Sequence, residues 1–235
     1  MNSKILIFGG ADGIGRAIAD ELVTKGGQVH ITSRSAEKIR QTPYEGSICD
    51  VLDVDQIAAA VADAGPQLNG LVFAVGSIVL KPLKSLVAKD FLSAFQLNTL
   101  AAAQAVQAAA PALSVNAGAV VLFSTVAVQT GFANHAAISA AKGGVEGLTR
   151  ALAAEFAPKI RINCLAPSLT DTDMAKGMTG NPSMAAALAK LHPMGRLGTP
   201  EDFAKMGAWL VSPHSGWMTG QILALDGGRG VIAGK

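Results

Sequence analysis

Apolar positions along the chain recur with two periods. The run Lys4-Ile5-Leu6-Ile7-Phe8 feeds into Gly9-Gly10-Ala11-Asp12-Gly13-Ile14-Gly15, after which Ile14, Ile18 and Leu22 repeat at the fourfold spacing of a helix. That helix stops at Lys25-Gly26-Gly27, a basic last turn with a glycine exit. A second strand follows over 28–32, a short third one precedes Asp50, and further β-rich runs occupy 71–75, 119–123, 160–164 and 221–225. Between them, helical periodicity covers 54–64, 90–112, 136–156 and 201–212. Val145, Leu148, Leu152 and Phe156 form the buried stripe of the third of these, which Pro158 closes. Alternating strands and helices predict an α/β fold: a doubly wound parallel sheet of about seven strands flanked by helices.

The first turn carries chemistry. Glycines let the strand bend sharply into the helix and leave backbone N–H groups and the positive helix end facing an anion. Strand, glycine turn, helix and strand within about thirty residues form the βαβ setting in which a dinucleotide pyrophosphate is the guest, so the sheet reads as Rossmann-like. Ligands of such sheets collect at the carboxyl ends of the strands. There stand Ser33 and Arg34, Asp50 and Val51, Ala74 to Gly76, Ser124 and Thr125, and the 167–172 stretch with Pro167, Leu169 and Thr172.

Composition narrows the alternatives. With 235 residues, half of them hydrophobic, the chain suits one domain, and no linker, repeat or low-complexity tract divides it. A dispersed net charge of +2 points to neither nucleic acid nor a membrane surface. The first strand begins at residue 4 and no apolar run is long enough to cross a bilayer, so a cytoplasmic protein is expected. Cys49 and Cys164 lack metal spacing and read as small buried hydrophobes; no metal site is expected.

Taken together these motifs resemble the short-chain dehydrogenase/reductase family over essentially the whole chain. Gly9, Gly13 and Gly15 fit the family's cofactor turn, Asp50-Val51 its adenine contact, Asn98 in Leu97-Asn98-Thr99 its helix asparagine, and Lys142 its lysine. The tail agrees through Gly195-Arg196-Leu197-Gly198-Thr199-Pro200-Glu201-Asp202, Thr219-Gly220-Gln221 and Asp226-Gly227-Gly228. The resemblance implies an oxidoreductase with a small-molecule substrate, Asn98, Thr125 and Lys142 as catalytic groups, and a substrate lid over 174–194. The lid's apolar members would be Met174, Met178, Met184, Leu188 and Met194. A nicotinamide dinucleotide would lie against Gly9, Ala11, Asp12, Gly13, Ile14, Gly15, Ser33, Arg34, Asp50, Val51, Ala74, Gly76, Asn98, Lys142, Pro167, Leu169 and Thr172. A homo-oligomer is also implied, a tetramer or dimer pairing the helices at 90–112 and 136–156.

Two departures shape the chemistry. NAD-dependent relatives end the second strand in a carboxylate; here Ser33 stands there beside Arg34, which favours NADP(H) over NAD(H), although Asp12 adds an opposing negative charge. The family's acid is a tyrosine four residues before the lysine, and here that position is Ile138, with Thr125 thirteen residues earlier in the serine's place. Tyr44, the only tyrosine, falls on the adenosine side of the fold. General acid catalysis contributes about 10² to 10⁴ in rate, so ordinary carbonyl reduction should be slow without a substitute donor. Three routes remain open: a water held by Lys142 and Asn98, His135 on the same helical face as Ile138, or hydride addition to an activated C=C bond that is protonated at carbon. The rival to an enzyme is a non-catalytic NADP(H)-binding or sensor protein descended from a reductase.

Overall fold

In the computed structural model, which describes residues 3–232, every strand pairing is parallel. Strands β1 (Lys4–Phe8), β2 (Gln28–Ser33), β3 (Glu45–Ile48), β4 (Gly70–Phe73), β5 (Ala119–Phe123), β6 (Arg161–Pro167) and β7 (Ile222–Leu225) make a seven-stranded sheet. Their order is β3-β2-β1-β4-β5-β6-β7. Strand order reverses between β1 and β4, which opens a crevice above their carboxyl ends.

The helices are α1 (Gly13–Thr24), α2 (Ala36–Arg40), α3 (Val54–Ala64), α4 (Ala88–Phe95), α5 (Ala101–Ser114), α6 (Ala127–Thr130), α7 (Ala136–Phe156), α8 (Lys176–Thr179), α9 (Pro182–Ala189) and α10 (Pro200–Leu210). The period-2 pleat sends Ile5 and Ile7 to one face, where Ile18 and Leu22 of α1 and Phe203 of α10 cover them. Leu6 and Phe8 point to the other face, under Ile57 of α3, Val106 of α5 and Val145 of α7. Burial on both faces is why the strands read as continuous apolar runs. Helices α1 and α10 approach so closely that a Cβ at Gly207 would lie 2.5 Å from Ile18 Cδ1.

Several boundaries move from the sequence reading. The strand predicted over 160–164 continues to Pro167 because β7 pairs with it out to Pro167 and Leu225. The strand predicted over 71–75 ends at Phe73, where β1 stops pairing with it. The helix predicted over 90–112 is α4, a π-type turn at Gln96–Leu100 and α5 in succession, and it runs past Pro111 to Ser114. Both cysteines are free and buried, and burial pushes their thiols up, to about 11 for Cys49 and about 12 for Cys164. No helix among the described residues is long and apolar enough to cross a membrane.

Candidate active site

A cavity of about 890 Å³ runs along the carboxyl edge of the sheet, from the turn after β1 to the segment that holds α8 and α9. Of the cofactor and catalytic residues singled out in the sequence, all line it except Ala11 and Asn98. Ala11 packs instead against the core cluster beneath α1 and α10. Asn98 is buried behind the wall.

At the β1 end the site is made of backbone. Gly9 and Gly13 have φ of +78° and +53°, in the left-handed region, and a Cβ on Gly15 would sit 2.2 Å from the Gly9 carbonyl oxygen. Asp12 precedes α1, yet its side chain does not cap the helix, so the first-turn N–H groups stay available to an anion. Its carboxylate pairs with Lys38, whose ammonium also lies 3.8 Å from Asp173. The hydrogen bond to Asp12 is the main reason the Lys38 pKa is raised. The Asp12 charge is therefore matched, which removes the objection it posed to phosphate binding. Lys38 was missed in the sequence, where its only signal was a second cation four residues after Arg34. Arg34 itself is exposed and makes no ion pair among the described residues.

Toward β5 and α7 the wall becomes side chains. Lys142 is buried, its Nζ donates to the Phe123 carbonyl at 2.7 Å, and loss of solvent pushes its pKa down to about 8. Gly76 has no side chain to spare: a Cβ there would lie 3.1 Å from Asn98 Oδ1 and 3.3 Å from Lys142 Nζ. The π-type turn places Asn98 so that Nδ2 donates to the Ala94 carbonyl at 2.9 Å and to Ser77 Oγ at 3.1 Å, bracing the loop after β4. Of the two hydroxyls after β5, Ser124 turns inward and donates to Glu146 at 2.8 Å. Thr125 faces the cavity and accepts from the Ala127 N–H at 3.3 Å.

Ile138 lies one turn before Lys142 on α7 and presents an aliphatic wall to the cavity. Tyr44 is elsewhere: its hydroxyl donates to Asp20, and the Arg16 guanidinium sits 5.0 Å from its ring centre. His135 precedes α7, donates from Nδ1 to the Ala133 carbonyl at 2.8 Å, and lines the same cavity as Ile138.

The segment after β6 closes the far side. Met174, Met178 and Leu188 line the cavity, whereas Met184, in the first turn of α9, and Met194, which follows that helix and lies beside Gly227, do not. His192, which the sequence did not flag, is buried and bridges this segment to the strand end. Its Nδ1 donates to the Leu188 carbonyl at 3.0 Å, and its Nε2 hydrogen-bonds with the Ser168 hydroxyl at 2.9 Å. Thr172 approaches the glycine turn, and a Cβ on Gly13 would be 3.6 Å from its methyl group.

Comparisons with known proteins agree with this geometry. Residues 9–229 match the family model described as enoyl-(acyl carrier protein) reductase. The chain is 34% identical over 241 residues to a chloroplastic tropinone reductase homolog from Arabidopsis thaliana, covering 96% of this chain and 75% of that protein. It is 32% identical over 239 residues to carbonyl reductase family member 4 of Danio rerio, covering 97% and 98%. Among solved structures, the ligand-free aldohexose dehydrogenase of Thermoplasma acidophilum superposes with a TM-score of 0.91 at 26% identity, covering 99% of this chain and 95% of that one. The structure of ElxO with NADP bound gives a TM-score of 0.90 at 29% identity, covering 97% and 99%.

Proposed function

We propose that this chain, which belongs to the short-chain dehydrogenase/reductase family, binds NADP(H) along the cavity and moves hydride between it and a carbonyl or activated C=C substrate. At the coarser level it is an NAD(P)-dependent oxidoreductase of that family. The observation that carries the finer reading is the continuity of the cavity, which joins the bare-backbone turn at Gly9–Gly15 to Thr125, Ile138 and Lys142. When bound, the nicotinamide supplies or accepts the hydride.

The turn and the start of α1 would take the pyrophosphate, Asp50 and Val51 would flank the adenine, and Lys142 would hold the nicotinamide ribose. Ser33 and Arg34 favour a 2′-phosphate over bare ribose hydroxyls, since a guanidinium attracts that dianion and no carboxylate stands beside it on the strand end. Thr125 would orient the substrate oxygen. Residues 174–194 would act as the lid of a single dinucleotide-binding domain, tethered through Ser168 and His192. Exposed Leu92, Phe95 and Leu100, at helical spacing along α4 and the π-type turn, suit a homo-oligomer.

We take Ile138, in the place of the family's phenol, as favouring one acceptor over the other. An aliphatic wall gives no proton to an alkoxide, whereas hydride addition to an activated C=C bond would leave a delocalised enolate that takes its proton at carbon from water. The enoyl reductase description of the matched family model supports that branch. The same isoleucine favours a second reading, a non-catalytic NADP(H) binder. Fluorescence titration with NADPH and NADH, followed by hydride transfer to ketones, aldehydes, quinones and enoyl thioesters, separates them. Tight NADPH binding with enoyl turnover supports the enzyme; binding without turnover supports the binder; no binding of either nucleotide overturns both. Ile138→Tyr should raise carbonyl reduction by about 10².

A further inference from the structure

Four Lys or Arg side chains line the cavity: Arg34, Lys38, Lys142 and Arg229. Two are engaged, Lys38 by Asp12 and Lys142 by the Phe123 carbonyl. Arg34 and Arg229 have neither an ion pair nor a side-chain hydrogen bond among the described residues. They stand far apart, since Arg34 follows β2 and Arg229 follows β7, five steps across the sheet or roughly 24 Å at 4.8 Å per strand.

The proposed dinucleotide accounts for Arg34 and leaves Arg229 without a counter-charge. Among the described residues, the three side-chain carboxylates that line the cavity lie elsewhere: Asp12 and Asp173 flank Lys38, and Asp50 follows β3. Asp226, in the same turn as Arg229, is spent on the backbone, accepting from the Gly228 N–H at 2.8 Å and the Gly230 N–H at 2.6 Å. Those bonds, with Thr130 donating to the Gly230 carbonyl at 3.2 Å, hold the turn against α6. The guanidinium is laid over the Phe132 ring at 4.8 Å, and His135 meets the same ring edge-on at 5.4 Å. Met178 and Leu188 supply an apolar surface to the same cavity.

From this arrangement we infer that Arg229 is the anchor of the substrate, and that the substrate carries a carboxylate on an apolar body. A planar guanidinium backed by an aromatic plate retains its fork of N–H donors for a planar, two-oxygen acceptor. Phe132 sets the direction of the fork, and the methionine-lined segment takes the hydrocarbon. The inference rests on the assignment of the β1 and β2 end to NADP(H).

The test uses full-length protein saturated with NADPH and calorimetric titration of 2-oxooctanoate, trans-2-octenoate, their methyl esters and octyl phosphate. At least one acid should bind tenfold or more tightly than its ester, a difference of about 1.4 kcal/mol or more. Arg229→Ala should abolish that preference while leaving NADPH affinity unchanged, and Arg229→Lys should restore part of it. Equal binding of acids and esters, no binding of either, an acid preference that survives Arg229→Ala, or a preference for the phosphate ester overturns the inference. Failure of the protein to bind NADPH at the outset overturns the functional reading instead.

Discussion

The two ends of the cavity are built from different materials. Around β1 the surface is a backbone turn, which three glycines hold open by φ values or by contacts that exclude a Cβ, and the charged side chains of Asp12, Arg34 and Lys38 stand beyond it. Around β5, β6 and β7 it is a set of side chains, Thr125, Ile138, Lys142, Ser168, His192 and Arg229, gathered from separate segments. The glycine turn tolerates little substitution, because a Cβ at Gly9 or Gly15 would press on neighbouring backbone. A side-chain wall demands only shape and polarity, so under the proposed function a single position such as Ile138 is enough to change the chemistry while the cradle stays intact. On the proposed function, one end sets what is bound and the other what is done with it.

Gly15→Ala attacks the first end most directly. With a carbonyl oxygen 2.2 Å from the new Cβ, the turn must open, and NADPH affinity should fall by about 10² or more in a fluorescence titration. Unchanged affinity would show that the phosphates bind elsewhere. Arg34→Ala should be milder and selective, weakening NADPH about tenfold while sparing NADH; equal losses for both nucleotides would remove the 2′-phosphate from the argument.

Lys142 tests the junction between the ends. Burial holds its folded-state pKa at about 8, below the ordinary value of 10.5, so between those values the unfolded chain binds more protons and stability rises with pH. The Tm of the wild type relative to Lys142→Met should therefore climb by several degrees across that window in thermal melts, and parallel profiles would refute a buried ammonium. The smallest effect belongs to the far end. Ser168→Gly removes the hydroxyl that hydrogen-bonds with His192, and a hydrogen bond of about 1 kcal/mol should raise substrate KM about fivefold with NADPH affinity unaltered.

The sequence made the cradle and most of the scaffold legible, and for a physical reason. Glycine spacing and helical periodicity are local signals, and the helices at 54–64 and 136–156 were read to the residue. Long-range partners left no such trace. Ser168 meets His192 across 24 positions and Lys38 meets Asp12 across 26, and neither pair is marked by any repeat in the chain. Strand β6 gained its last three residues from pairing with β7, which no property of 165–167 announces. Arg229 stands just beyond the tail motif Asp226-Gly227-Gly228 and was not singled out, because the role proposed for it depends on Phe132 lying beneath it.

The π-type turn at Gln96–Leu100 amounts to one residue added to an otherwise regular rod. Each residue advances a helix by about 100°, so the extra one rotates everything downstream by more than a quarter circle. Excising a residue there would restore uniform winding yet swing the buried alanines Ala102, Ala105 and Ala109 away from the sheet. The irregularity is thus a phase shifter: it lets a single rod turn the Asn98 amide toward the loop after β4 and, about one turn on, seat its smooth flank against the strands.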